Sequence, residues 1–136
     1  MFKDRNRILN PKLVASIAKL GHFDLIAVVD AGMPLPYKKK NIEIIDLSFY
    51  PGVPSFSDVF KKVLEELEYQ RIYVAPETEE INPVIYKTIL DNANREITFV
   101  SNHDELKELL TKTMLIIRTS ETSPYANAII ECGVNF

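Results

Sequence analysis

The chain has 136 residues, with 16 lysines and arginines against 19 aspartates and glutamates, and a formal net charge of -3 at pH 7. This length suits one domain, and 46% apolar residues supply enough material for its core without a disulfide or a metal. The mild acidity gives no general attraction to nucleic acid or to anionic membranes, and the run Lys38-Lys39-Lys40 is typical of a solvated loop.

The single cysteine and the N-terminal segment bear on the cellular compartment. Cys132 cannot form an internal disulfide, and its apolar neighbours predict a small buried thiol, which fits a reducing, cytoplasmic setting. The first residues, MFKDRNRILNPKL, carry charges where a signal peptide needs apolar side chains. No later apolar run approaches the roughly 20 residues of a membrane helix. The sequence therefore argues against a secreted or membrane-spanning protein.

Helix signals and short apolar runs alternate along the chain. Helices are predicted at residues 11–20, 56–67 and 83–92 and, briefly, after 102. Strands are predicted at 25–29, 42–47, 71–74, 97–100, 114–118 and 127–132. This alternation predicts a single three-layer α/β/α domain with a mainly parallel sheet of about six strands. In such sheets, ligands bind beyond the carboxyl ends of the strands.

Two polar side chains flank the first predicted strand. His22 precedes that strand and Asp30 follows it, so we expect them at opposite ends of the strand without direct contact. His22 is either a functional group or a residue just past a helix end, where its positive form pairs with the helix dipole. Asp30 is either a turn former before Ala31-Gly32 or a ligand-binding residue at the carboxyl end of a buried strand.

Two further groups of polar residues are candidates for a site. His103 starts a predicted helix and Lys107 lies four residues on, so both can face one polar ligand or form an ordinary solvated first turn. The segment 118–127, RTSETSPYAN, concentrates hydroxyl, amide and phenol groups between two apolar strands. It is either a ligand-binding loop or a loop whose polar residues satisfy one another.

Several chemistries are excluded because their motifs are missing. The chain has four glycines in total and contains no dinucleotide-binding fingerprint, no phosphate loop and no nucleophile elbow. Two distant histidines and one cysteine give no zinc signature, so we expect no metal. The remaining interpretation is a neutral polar ligand, such as a sugar or another polyol, bound by His, Asp, Lys, Tyr and Asn side chains.

The sequence resembles the D-ribose pyranase family along nearly its whole length. The matching pieces are LNPKL at 9–13, LGHFD at 20–24, VDAGMPLP at 29–36, PGVPSF at 51–56, RTSE at 118–121, PYAN at 124–127 and GVNF at 133–136. The L-fucose mutarotases share the Gly-His and Asp-Ala elements, but GMPLP and Tyr-Ala-Asn are more similar to the ribose branch. Ser120 departs from the pattern, because the family usually has glycine there, and this change can reshape the loop or alter the sugar preference.

The resemblance implies a cofactor-independent isomerase that interconverts the pyranose and furanose forms of D-ribose by acid–base-assisted ring opening. It leaves open whether the enzyme also interconverts the anomers of this sugar. His22 would then be the proton donor. The substrate-binding positions would be Asp30, His103, Lys107, Tyr125, Ala126 and Asn127. The resemblance also implies a large homo-oligomer, a pentameric ring or a decamer, with sites at subunit contacts where His22 and the C-terminal loop can meet.

Three other functions stay open from the sequence. A sugar-binding or regulatory module would bind ribose and leave its ring-form exchange at the rate in solvent. A mutarotase for another monosaccharide, such as fucose, would act on a different sugar, and a plain assembly subunit would bind none.

For the last strand we expect Tyr125 and Asn127 to project to the same side if the strand has already begun at Tyr125.

Overall fold

A computed structural model describes residues 1–136, and its strands form one six-stranded sheet. The strands are β1 (Leu25–Val29), β2 (Glu43–Asp46), β3 (Tyr69–Val74), β4 (Glu96–Phe99), β5 (Leu115–Arg118) and β6 (Ala128–Cys132). The helices are α1 (Pro11–Ala18), α2 (Phe56–Glu66), α3 (Pro76–Ile81), α4 (Pro83–Asn92) and α5 (His103–Leu110). The expected α/β fold with a mainly parallel sheet of six strands is confirmed.

The strand order determines which loops meet. The order across the sheet is β2-β5-β1-β6-β3-β4, and every neighbouring pair is parallel except the two pairs made by β6. Because β6 runs the opposite way between β1 and β3, its first residue lies at the edge where the other five strands end. The residues that follow β1 and those that precede β6 are therefore neighbours.

The helices cover both faces of the sheet and define two apolar clusters. On one face, α1, α2 and α4 pack against side chains that include Ile26, Val28 and Ile72. On the other face, α5 packs through Leu106 and Leu110. Four of the five residues of β1 are buried, as expected for a strand covered on both faces. Each large apolar side chain buried in this way contributes roughly 1.5–3 kcal/mol to folding.

Helix α2 shows how the sequence specifies these elements. Ser55 caps its first turn by accepting a hydrogen bond from the Asp58 backbone N–H at 3.1 Å. One stripe of the helix is buried against the sheet, and it consists of Phe56, Val59, Phe60, Val63 and Leu64. The predicted start of this helix is confirmed, and its end lies one residue earlier than predicted.

Three parts of the predicted element pattern were wrong, and one is the start of β3, which lies at Tyr69 and not at Arg71. Helix α3 was not predicted, because its six residues bury only Thr78 and so carry no apolar stripe. Helix α1 ends at Ala18 and not at Leu20, because the last turn tightens: the Leu20 N–H donates to the carbonyl of Ile17, three residues back.

The remaining predictions on the chain's environment concern the cysteine and the membrane. Cys132 is a free thiol and is buried, as predicted. Burial raises the pKa of this thiol to about 12, and the nearby charges of Asp24 and Glu131 act in the same direction. None of the helices combines the length and the continuous apolar character needed to span a bilayer.

Candidate functional site

A pair formed by Asp30 and Asn127 lies at the edge of the sheet where β1 ends and β6 begins. Asn127 Oδ1 accepts a hydrogen bond from the Asp30 backbone N–H, and Asn127 Nδ2 donates to Asp30 Oδ2, both at 2.9 Å. Asp30 Oδ1 accepts from the Gly32 backbone N–H, also at 2.9 Å. Asp30 is therefore both a turn former and a fixed carboxylate, and it lies at the edge of the sheet where ligands bind in folds of this kind.

The surroundings of Asp30 change its acidity. Burial raises the pKa of this carboxyl above its usual value of 3.8, because the charged form loses solvation. The hydrogen bonds from Asn127 and Gly32 and the charge of His103 oppose this effect without cancelling it. Carboxyl groups with a shifted pKa are concentrated at functional sites, where they transfer a proton or bind a polar ligand.

A polar cavity of about 410 Å³ opens beside Asp30. It is lined by Asp30, Ala31, Gly32, Glu121, Thr122, Ser123 and Pro124. The Glu121 carboxylate is itself fixed, since it accepts from the Phe56 backbone N–H at 3.1 Å and from the Ser123 hydroxyl at 2.9 Å. Hydroxyl and carboxylate groups in a concave site suit a polyhydroxylated ligand.

His103 and Tyr125 form an aromatic pair near the Asp30 carboxylate. Their ring centroids are 5.0 Å apart and the planes meet at 83°, an edge-to-face contact. The Nδ1 atom of His103 is buried and has no hydrogen-bond partner. Unpaired buried polar atoms are rare in folded proteins, so this nitrogen calls for a functional explanation.

Tyr125 does not belong to β6, so the condition under which we expected it to project to the same side as Asn127 is not met. Its φ is 56°, in the left-handed region, and β6 begins at Ala128. Strand alternation therefore does not apply between Tyr125 and Asn127. For a residue other than glycine this conformation costs roughly 1–2 kcal/mol, which the surrounding contacts must offset.

Helix α3 and the residue after it support this aromatic pair. The Thr78 hydroxyl donates to the Tyr125 carbonyl at 2.7 Å, and Asn82 Nδ2 donates to the Pro124 carbonyl at 2.7 Å. The Glu77 carboxylate accepts from the His103 backbone N–H at 2.7 Å. Sequence reasoning did not identify these three residues, because hydrogen bonds from side chains to distant backbone groups leave no periodic pattern. The sole local signal was Pro76 followed by acidic residues, which is typical of a helix start.

Neither Lys107 nor Ala126 lines the cavity beside Asp30. Lys107 lies one turn after His103 on α5, as predicted, and its nearest charged partner is Asp104 at 3.8 Å. Ala126 is fully buried in the larger apolar cluster, so contact with a ligand would go through its backbone.

His22 lies at the opposite edge of the sheet from Asp30. The strand between them is about 16 Å long, so the two side chains of one chain do not meet. His22 Nε2 forms a hydrogen bond with Gln70 Oε1 at 2.9 Å, and Gln70 Nε2 donates to Glu131 at 2.7 Å. Its ring stacks on Phe23 with centroids 3.8 Å apart. The side chain of His22 thus pairs with β3 and not with the end of α1, contrary to the helix-dipole interpretation.

The polar side chains in the first half of the segment 118–127 are held by hydrogen bonds, many of them to residues outside the segment. Arg118 Nη2 donates to the Ala31 carbonyl at 2.8 Å, and Nη1 donates to Asp46 at 2.9 Å. The Ser120 hydroxyl accepts from the Phe49 backbone N–H at 2.8 Å, and Ser120 does not have a positive φ. The conformation of this chain therefore does not require glycine at position 120. No group of three or more His, Cys, Asp or Glu side chains is arranged to hold a metal ion.

Comparison with known proteins places this architecture in a family. The model of the RbsD / FucU transport protein family matches residues 3–135. The chain belongs to this family. Among its relatives, the D-ribose pyranase of Lactobacillus gasseri is 45% identical over 95% of this chain and 96% of that protein. Among solved structures, Bacillus subtilis RbsD complexed with D-ribose has a TM-score of 0.91 and 36% identity, with all of both chains covered.

A second structural relative shares the fold at lower identity. The fucose mutarotase of Streptococcus pneumoniae, solved in complex with L-fucose, has a TM-score of 0.75 and 20% identity and covers 97% of this RbsD / FucU family member and 96% of that chain. At this identity the likeness concerns the fold alone.

Proposed function

We propose that this protein is a D-ribose pyranase, an enzyme that interconverts the pyranose and furanose forms of D-ribose without a cofactor. The observation that carries the proposal is the end-to-end match to RbsD complexed with D-ribose, in a chain that gathers Asp30, His103, Tyr125 and Asn127 at one edge of its sheet. The 45% identity to a D-ribose pyranase against 20% to a fucose mutarotase favours ribose over fucose.

The reaction needs one proton removed and one delivered. Ring opening takes the proton from the anomeric hydroxyl and protonates the ring oxygen as its bond to the anomeric carbon breaks, which gives the open-chain aldehyde. Reclosure through a different hydroxyl oxygen gives the other ring size. A histidine suits this exchange, since both of its forms exist near neutral pH, and we assign that role to His22. Asp30, His103, Lys107 and the segment Tyr125-Ala126-Asn127 would bind and orient the sugar.

We propose further that the complete site forms between two copies of the chain in a large ring-like homo-oligomer, a pentameric ring or a decamer. The support is geometric: His22 and Asp30 occupy opposite edges of the same sheet. A heterologous, head-to-tail contact would bring the His22 edge of one copy to the Asp30 edge of the next, and repetition of that contact with a rotation that closes would give a ring.

The activity is tested by saturation-transfer NMR on D-ribose with and without the protein. A pyranase accelerates exchange between the pyranose and furanose signals in proportion to enzyme concentration. A binding module would broaden the ribose signals and leave the exchange at its rate in buffer. The same measurement with L-fucose compares the two sugars, and faster exchange of fucose than of ribose would contradict the assignment of ribose.

The shared site is tested by mixing two inactive variants. His22→Ala and Asp30→Asn damage opposite edges, so a randomly mixed oligomer would contain intact sites at about one quarter of its contacts. Recovery of exchange activity after unfolding and refolding the two together supports a shared site. If the mixture stays as inactive as its components, while wild type treated in the same way recovers, each chain works alone.

We also propose a cytoplasmic location. The buried, unpaired Cys132 supports it, since this thiol suits a reducing compartment.

A further inference from the structure

One short element contacts both members of the aromatic pair. From α3 and the residue that follows it, Glu77 accepts from the His103 backbone N–H, while Thr78 and Asn82 donate to carbonyls of the Pro124-Tyr125 segment. We propose that Thr78 and Asn82 are positioning residues, which hold Tyr125 in the conformation that presents its ring to the sugar. This inference rests on the proposed function and adds to it two residues that do not touch the ligand.

Tyr125 needs such support because of its backbone conformation. A φ of 56° is unfavourable for an aromatic residue and persists where the surroundings over-determine it. The Thr78 side chain is fully buried, so its 2.7 Å hydrogen bond to the Tyr125 carbonyl is shielded from water. Without the hydroxyl, that carbonyl would face an apolar group, and the segment would gain by rotating away.

Asn82 fixes the preceding residues in the same way. Its Nδ2 atom donates to the Pro124 carbonyl at 2.7 Å and to the Ser123 hydroxyl at 2.9 Å, and the residue is buried. Its Oδ1 atom accepts from the Ile85 backbone N–H and thereby caps α4. The two carbonyls of Pro124 and Tyr125 are therefore anchored to one rigid helix junction, which places the Tyr125 ring 5.0 Å from that of His103.

The first test compares Thr78→Val with Thr78→Ser. Valine keeps the shape and removes the donor, while serine keeps the donor. We expect Thr78→Val to weaken D-ribose binding about fivefold, which is the effect of one lost hydrogen bond. Thr78→Ser should bind D-ribose like wild type. At saturating ribose the exchange rate should change less than about twofold, because Tyr125 orients the sugar and does not transfer the proton. Glu80→Gln, an exposed position of the same helix, is the matched control.

A purely structural role for Thr78 would give a different result. Thr78→Val would then lower the unfolding temperature, while the folded protein bound ribose as tightly as wild type, and that outcome overturns the proposal. Absence of ribose binding by the wild-type protein would instead contradict the proposed function. If Thr78→Val does not fold, Asn82→Asp decides, since it keeps the cap of α4 and loses both donors. Weaker ribose binding by Asn82→Asp supports the proposal, and wild-type affinity overturns it.

Discussion

Asn127 binds Asp30 through both ends of its amide: Oδ1 accepts from the Asp30 backbone N–H, and Nδ2 donates to the Asp30 carboxylate, each at 2.9 Å. Asp30 follows β1 and Asn127 precedes the neighbouring antiparallel strand β6, so the sheet brings the two residues together from distant parts of the sequence. This pair orients the carboxylate and uses one N–H and one lone pair of the amide. Because the Asn127 side chain is buried, we expect it to influence a sugar in the proposed site largely through Asp30.

The first prediction concerns Asn127→Ala. Removal of the amide leaves the half-buried Asp30 carboxylate with one partner fewer, and we expect a loss of about 1–3 kcal/mol of ribose binding free energy. Titration calorimetry with D-ribose measures it. Asn41→Ala, in an exposed loop, should bind ribose like wild type. Wild-type affinity in Asn127→Ala would remove this pair from the site.

The second prediction concerns His22→Ala. As the proposed acid–base group, His22 should account for roughly a hundred- to ten-thousand-fold of the exchange rate. Its side chain is exposed and bonds to Gln70, so we expect the fold to survive with nearly the same unfolding temperature. Saturation-transfer NMR gives the rate, and circular dichroism monitors the fold. A folded variant that exchanges ribose at the wild-type rate would show that His22 has another role.

The third prediction concerns Ser120. Because the family usually has glycine at this position, Ser120→Gly should keep or raise activity on ribose. Since Ser120 does not have a positive φ, glycine relieves no strain there, and the variant should lower the free energy of unfolding by about 1 kcal/mol. The lost group is the hydroxyl that accepts from the Phe49 N–H. Ser120→Ala separates this hydrogen bond from the added freedom of glycine. A large fall in turnover for both variants would show that the hydroxyl is adapted to the substrate of this chain.

The fourth prediction concerns pH. The pKa of Asp30 is raised in the folded protein above 3.8, its usual value in the unfolded chain. The folded state therefore holds its proton to higher pH than the unfolded state. The contribution of this group to stability is fully present below pH 3.8 and is lost as pH rises through the folded pKa.

Urea unfolding of wild type and Asp30→Asn across acidic to neutral pH measures this contribution. The stability of wild type relative to Asp30→Asn should fall as pH rises above 3.8. A difference that stays constant with pH, or that grows in favour of wild type, would contradict the raised pKa.

The fifth prediction concerns Cys132. With its pKa raised to about 12 and its side chain buried, the thiol should resist iodoacetamide at pH 8 and react once the chain is unfolded in guanidinium. Mass spectrometry counts the modified molecules. Rapid modification of the folded protein would mean that the end of β6 opens readily.

The sequence allowed the fold class to be predicted, while the site residues stay predictions, and the misses in the predicted structure have physical causes. The apolar runs at β1 and β5 and the stripe on α2 are local patterns, and they were identified. The meeting of Asp30 and Asn127 depends on the reversed direction of β6, which no local pattern encodes. The resemblance to the family implied that both residues bind the sugar, while the contact between them is visible only in the fold.

The left-handed conformation of Tyr125 and the helix α3 were missed for a different reason. Left-handed positions are predicted from glycine or asparagine, so a tyrosine at such a position gives no local warning. Its conformation is maintained by Thr78 and Asn82, which are distant in sequence. These tertiary hydrogen bonds outweigh the preference of a tyrosine for a negative φ.

The central place of β6 has a consequence for how the protein folds. β6 joins β1 to β3, so the group β2-β5-β1 and the pair β3-β4 share no strand pairing until it inserts. Contacts between segments so distant in sequence make folding slow, because the entropy of closing a long loop must be overcome before they form. A nascent chain on the ribosome would therefore hold two incomplete half-sheets until β6 has been synthesised, and the Asp30 carboxylate would gain its partner in that same late step.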